Sequence, residues 1–286
     1  MEKLRKALEK AKQDRVYEIG AMTEQHAATT KVASTSDATE DRIGQFSPVY
    51  SQCRSHELNQ ETLANNHCLC ISSDPFEIES YKMLRTQVLQ RTRPEGWNTV
   101  MITSALPGEG KTLTAVNLTV TFAKEFNHTA LLVDCDLNKQ AVHKILGIDS
   151  KLGLIDALAD NRPLQDLLVW PGIEKLTLIS GGRTISDTSE VLSSAKMKAL
   201  VSEIKSRYHD RYVFFDLPPV LSVDDAVAFA PLVDAILMVV RAGKTSIRDI
   251  EKAVDLLPKE KFLGFVLNRH KAPSKAYAET YYAKAS

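Results

Sequence analysis

No run of apolar residues in this 286-residue chain is long enough to cross a bilayer. The longest clean one, residues 235–240, falls far short of the roughly 20 residues that a membrane helix needs. The opening residues Met1-Glu2-Lys3-Leu4 have no apolar core, so no secretion signal is expected there, and Glu2 stands where N-myristoylation needs glycine. Cysteine is scarce: Cys53, Cys68, Cys70 and Cys135 are too few and too scattered for a disulfide framework. Excess charge is missing as well. Thirty-six basic residues balance 36 acidic ones, so neither nucleic acid nor anionic lipid is expected as a bulk partner. There is no internal repeat. These absences point to a soluble protein without a span of its own, so any membrane role must be borrowed from a partner.

What is present is a core. Apolar residues make up 44% of the chain, and its length allows one α/β domain with extra segments. Residues 1–15 have Leu4, Ala7, Leu8 and Ala11 on one helical stripe, which suits either a solvated or a docking helix. Residues 21–72 lose periodicity and fill with Thr, Ser, Asn, Gln and His, so residues 1–72 read as a helix plus flexible linker. Within that stretch Cys53, His56, His67, Cys68 and Cys70 could ligate zinc, but their spacing fits no standard site.

Regular structure is expected from residue 75. Asp74 and Pro75 suit the N-cap and first position of a helix to Gln90. Strands are expected at 98–104, 129–134, 176–180, 212–216, 235–240 and 262–268. Helices are expected at 111–126, 139–146, 153–160, 188–208, 223–230 and 246–257. Strand cores such as Leu131-Leu132-Val133 and Val213-Phe214-Phe215 are continuously apolar, the mark of strands buried on both faces. The fold class is therefore α/β: a doubly wound parallel β-sheet flanked by helices, over residues 73–270. Residues 271–286 form a polar C-terminal tail.

The strongest local signal is Ser104-Ala105-Leu106-Pro107-Gly108-Glu109-Gly110-Lys111-Thr112, between a strand and a helix. In that setting the pattern is a phosphate-binding loop. Residues Pro107 to Leu113 would surround the phosphates, with backbone N–H groups pointing inward at the positive end of the helix. Lys111 would bridge the β and γ phosphates, and the Thr112 hydroxyl would ligate Mg²⁺. Ala105 stands where the first glycine of the pattern is usual. No G-x-G-x-x-G with an acidic residue about 20 positions on follows the first strand, which speaks against a dinucleotide-binding dehydrogenase.

Three carboxylates fall at the carboxyl ends of strands, where open α/β sheets bind ligands. Asp134 and Asp136 surround the end of one strand and Asp216 closes another. Asp134 and Asp216 suit Mg²⁺, and Asp134 or Asp136 could take a proton from an attacking hydroxyl.

These segments together resemble the bacterial tyrosine kinase family, P-loop proteins of the ParA/MinD superfamily that regulate capsule and exopolysaccharide assembly. The resemblance rests on residues 107–112 (PGEGKT), 131–139 (LLVDCDLNK), 153–158 (GLIDAL), 178–182 (LISGG), 189–194 (SEVLSS), 214–226 (FFDLPPVLSVDDA), 239–245 (VVRAGKT) and 265–268 (FVLN). It implies ATP and Mg²⁺ as cofactors and a protein-tyrosine autokinase in which Lys111, Asp134, Asp136 and Asp216 are catalytic. It implies that Asn268 approaches adenine, and that Tyr277, Tyr281 and Tyr282 in the tail accept the phosphate in trans. Glu79, Lys82 and Arg85 resemble the family's helix motif for ring-shaped homo-oligomers, with Lys82 in place of arginine. A separate transmembrane activator, the polysaccharide co-polymerase, is implied as a partner. Family members often have arginine after the second aspartate, where this chain has Leu137-Asn138-Lys139. The competing readings are a ParA/MinD-type ATPase switch and a non-catalytic ATP-dependent scaffold. The switch proteins carry an early signature lysine in the loop, where this chain has Leu106.

Overall fold

A computed structural model describes residues 54–56, 58–68, 75–149, 151–207 and 210–270. Eight strands form one sheet: β1 (Arg54–Ser55), β2 (Thr99–Ser104), β3 (Thr129–Asp134), β4 (Val169–Trp170), β5 (Leu176–Ile179), β6 (Arg211–Asp216), β7 (Ala235–Arg241) and β8 (Phe262–Asn268). Their order across the sheet is β1-β4-β5-β3-β6-β2-β7-β8, and every pairing is parallel except β4 with β5. Successive side chains alternate between faces. Met101, Leu131, Val133, Phe215 and Met238 fill one apolar core, and Val100, Ile102, Leu132, Phe214 and Val239 fill the other. Burial on both faces explains why the sequence pattern is continuous rather than alternating.

Ten α-helices are present among the described residues: α1 (Gln60–Asn65), α2 (Pro75–Thr92), α3 (Lys111–Ala123), α4 (Val142–Leu146), α5 (Leu154–Asp160), α6 (Leu164–Leu167), α7 (Thr188–Leu192), α8 (Ala195–Arg207), α9 (Asp225–Phe229) and α10 (Ile247–Asp255). None is long and apolar enough to cross a membrane. Helix α3 is buried from Thr114 to Ala123, because it lies against the sheet under α2.

Several elements depart from expectation, among them helix α6, which no pattern announced, and α4, which begins only at Val142. The single helix expected over 188–208 is two, because Ser194 starts a new one: its Oγ accepts the Met197 N–H at 3.1 Å, an N-cap bond. Strand β4 is only two residues long, too short to leave a period. Part of the stretch read as linker is ordered into the domain. Asn59 caps α1 by accepting the Thr62 N–H at 3.0 Å, Leu63 and Cys68 are buried in the core, and Asn66 Nδ2 donates to the Ile145 carbonyl at 2.9 Å. Asp74 lies outside the described residues.

The GLIDAL and LISGG segments meet by close backbone approach. The Leu154 N–H donates to the Ser180 carbonyl at 2.7 Å, and the Ile155 N–H to Gly181 at 3.1 Å. Gly182 sits at φ +85°, and a Cβ there would come within 2.8 Å of Asp156 Oδ2. That oxygen already holds the Gly153 N–H at 2.8 Å. Gly182→Ala is therefore expected to lose roughly 2–3 kcal/mol, read as a lower urea midpoint at unchanged m-value.

Candidate nucleotide site

Sheet order brings the predicted groups together. Strand β6 lies between β3 and β2, so Asp216 is the register partner of Asp134 on one side and of Ile102 on the other. The loop leaving β2 therefore arches beside both aspartates. Pro107 and Gly108 are exposed at its tip, while Thr112 and Leu113 are half-buried on the first turn of α3. Ala105 is fully buried within the apolar core, so its methyl group is accommodated where the common pattern has glycine.

Lys111 is the centre of the cluster. Its Nζ lies 2.7 Å from Asp136 Oδ2, 3.4 Å from Asp216 Oδ1 and 3.2 Å from the Thr112 hydroxyl. Burial pulls its pKa down, but the charges of Asp216 and Asp136 outweigh that and the net shift is upward. Asp134 is fully buried and serves the local backbone: Oδ1 accepts the Asp136 N–H at 3.2 Å and Oδ2 the Val142 N–H at 3.1 Å. Burial, then repulsion from Asp216, pushes it up to about 8. Burial also raises Asp216, opposed by Lys111 and the Thr112 hydroxyl. Asp136 Oδ1 accepts the Lys139 N–H at 3.2 Å.

Three buried carboxylates thus share one ammonium. Fully ionised, the cluster would carry two uncompensated negative charges in a place that water does not reach, which is unfavourable without a cation. Carboxylate oxygens together with the Thr112 hydroxyl are hard oxygen donors of the kind Mg²⁺ takes. The residues present fit that ion.

Glu109 and Asn268 are both turned to the loop itself. Glu109 is buried, and Asn268 Nδ2 donates to the Glu109 carbonyl at 2.8 Å. Gly110, at φ +95°, has no Cβ where the Asn268 amide sits.

The other predicted residues are more dispersed. On α2, exposed Glu79 and Lys82 pair at 3.4 Å, but half-buried Arg85 donates to the Thr121 carbonyl in the last turn of α3, at 2.9 Å. The three charges expected to share one presented face are divided. Tyr277, Tyr281 and Tyr282 lie outside the described residues, as do Cys53 and Cys70. His56 contacts the Gly147 carbonyl at 3.0 Å, and no group of three or more His, Cys, Asp or Glu that could hold a metal by themselves occurs among the described residues, so Mg²⁺ would rest on one or two of the aspartates and Thr112 together with phosphate oxygens. Cys135 is buried between the aspartates, and burial pushes its thiol well up, so it is an inert packing residue.

Sequence reasoning missed a second polar cluster. Asp225 is buried and accepts the Thr188 hydroxyl at 2.9 Å, with Asn138 Nδ2 3.4 Å from both side chains. Burial raises Asp225, opposed by the Thr188 hydroxyl. Asn138 follows Asp136 by two residues, so this cluster supports the turn after β3. Its members come from three distant segments, and no spacing in the sequence joins them.

The CobQ/CobB/MinD/ParA nucleotide binding domain matches residues 100–284. The tyrosine-protein kinase YwqD of Bacillus subtilis is 34% identical over 195 residues, covering 68% of this chain and 81% of that protein. The tyrosine-protein kinase ptk of Acinetobacter johnsonii is 27% identical over 208 residues, covering 72% of this chain but only 28% of its own length. Among solved structures, the chimerical protein CapA2B2 superposes with a TM-score of 0.65 at 25% identity, covering 79% of this chain and 96% of that one. With its nucleotide-binding sheet and its match to most of YwqD, the chain belongs to the CobQ/CobB/MinD/ParA nucleotide-binding family and, within it, to the bacterial tyrosine kinases.

Proposed function

We propose that the chain is an ATP-dependent protein-tyrosine autokinase that phosphorylates Tyr277, Tyr281 and Tyr282 on a neighbouring copy within a ring. Its role would be to regulate capsular or exopolysaccharide synthesis and export. The observation that carries the reading is the excess of buried carboxylate around Lys111 and Thr112. Such a cluster stores negative charge that Mg²⁺ relieves, beside a backbone cradle suited to a triphosphate.

Thr112 and Asp216 would hold Mg²⁺, with Asp134 supporting them from the adjoining strand. When bound, the ion would neutralise charge on the transferring phosphoryl group. The backbone of residues 107–113 holds the phosphates, and Lys111 turns from Asp136 to their bridging oxygens. That turn frees Asp136 Oδ2, whose partner is a long side chain rather than backbone. The tyrosine phenol has a pKa near 10 and needs an acceptor. Asp136 takes its proton as the phenolic oxygen bonds to the γ phosphorus, the bond to the β–γ bridging oxygen breaks, and ADP leaves. Each phosphotyrosine adds close to −2 charge, which repels neighbouring tails and loosens the ring.

Glu79 and Lys82 are exposed and available to a neighbouring copy, while Arg85 braces α3. A separate transmembrane activator would recruit the chain to the inner face of the plasma membrane. Leu106 packs against the apolar core, where a ParA/MinD-type switch carries its signature lysine. That disfavours the switch reading.

Phosphopeptide mass spectrometry of the full chain with Mg-ATP and activator tests the proposal. Phosphate is expected on the peptide holding residues 277–282, and it should vanish in the triple Tyr→Phe variant while nucleotide binding persists. ATP hydrolysis with no phosphotyrosine would overturn the kinase reading in favour of an ATPase switch.

A further inference from the structure

The phosphate loop is held from behind by a side chain within it. Glu109 is only 2% exposed, and its carboxylate faces three neutral donors. Oε2 accepts the Leu106 N–H at 2.8 Å, which closes the loop on itself. Oε1 accepts the Arg241 N–H at 3.4 Å and the hydroxyl of Thr245, a close contact. Thr245 Oγ1 also accepts the Arg241 N–H at 3.2 Å. Arg241 ends β7, and residues 242–246 form the connection to α10. The residue after Thr245, Ser246, caps α10 by accepting the Asp249 N–H at 3.1 Å. Adjacent side chains therefore grip the phosphate loop on one side and α10 on the other.

We propose that Glu109 is a positioning residue which, through Thr245, couples the shape of the phosphate loop to the β7–α10 connection. Nucleotide binding and the state of that connection then influence each other. A carboxylate suits this place because it only accepts, and all three groups facing it donate. Glutamine would turn an NH₂ toward one of those donors and splay the loop. The Cβ-free Gly110 leaves room for Asn268 to hold the same loop from β8, so Glu109 fixes it from two directions: side chain to β7, main chain to β8. Coupling of this kind is reciprocal: whatever loads α10 changes nucleotide affinity, and nucleotide changes α10.

The inference rests on reading the loop as a nucleotide site and not on phosphoryl transfer. The test uses the full chain and a fluorescent ADP analogue with Mg²⁺, alongside amide hydrogen exchange. Thr245→Val and Glu109→Gln are each expected to weaken analogue binding about tenfold, and to speed exchange at residues 105–110 in the nucleotide-free protein. The double variant should match the worse single within about twofold, because both remove one connection. Thr245→Ser, which keeps the hydroxyl, should bind within about twofold of the parent. In the parent, the analogue should slow exchange at residues 241–250; in Thr245→Val it should not. Additive losses, an inert Thr245→Val, or failure of serine to rescue would overturn the coupling. If Glu109→Gln does not fold, the valine and serine variants at 245 decide the matter. A parent chain that binds the analogue and phosphorylates no tyrosine would defeat the kinase proposal and leave this one standing.

Discussion

Lys111→Met is expected to bring tail phosphorylation down by on the order of 10³-fold or more, and to make the nucleotide-free protein's stability more sensitive to pH. The first effect follows from losing the ammonium that, among the described residues, alone sits among the three aspartates. The second follows from what those aspartates become without it. Removing one partner of a buried ion pair costs about 3–5 kcal/mol when the other stays charged. Protonation offers an escape at low pH. The folded-state pKa of Asp134 is already raised to about 8 by burial and by Asp216. A carboxyl shifted upward contributes stability that is complete below its unfolded value near 4 and is lost as pH rises through the folded value. The parent protein should therefore lose stability from about pH 4 to pH 8, and the variant should lose more of it. At pH 8 its melting temperature should fall by about 6–20 °C, taking 2–4 °C per kcal/mol, and at pH 5 by much less. Scanning calorimetry across that range checks the claim; an equal drop at both pH values would show that Lys111 does not compensate these carboxylates.

The elements that form this site are the ones a sequence displays well. The strand ending at Asp216 is a run of large apolar residues closed by one acid, and burial on both faces demands that pattern. The loop from Pro107 to Thr112 reads by composition, since glycine and a basic residue at the start of a helix have few other uses. What stayed hidden depends on contacts between distant segments. Glu109 looks like a solvent-facing residue between two glycines, and donors that include Thr245, 136 residues away in sequence, turn it inward. Helix α1 offers one buried leucine in six residues, too little for a period, and its order comes from Asn66 reaching the Ile145 carbonyl. Arg85 keeps helical register with Glu79 and Lys82, yet a carbonyl in the last turn of α3 draws its guanidinium away from them. Register along a helix shows which residues lie on one side, but not which of them the neighbouring helix captures.

Asp216→Asn should separate function from stability in the opposite sense to Lys111→Met. The carboxylate is fully buried, and its pKa is raised by burial despite Lys111 and the Thr112 hydroxyl. An ionised group in that position works against folding, and it persists because a cation completes the site. Asparagine has the same shape, and its amide oxygen still accepts from Lys111 or Thr112. At pH values below the ordinary carboxylate range, about 4, where the carboxyl is protonated, the two proteins should melt at similar temperatures. As pH rises and the parent ionises against the raised value, the variant should become the more stable, seen as the higher melting temperature at pH 9. Phosphoryl transfer should meanwhile fall by at least about 10²-fold, since the proposed metal-holding oxygen is gone. Such an exchange of stability for activity is expected wherever charge is kept for a ligand rather than for the fold. Added Mg-ADP should reverse the order, raising the melting temperature of the parent and leaving the variant almost unmoved. A variant less stable than the parent at pH 9 would mean that Asp216 serves the fold through Lys111, and that the cluster's negative charge is not held in reserve for magnesium.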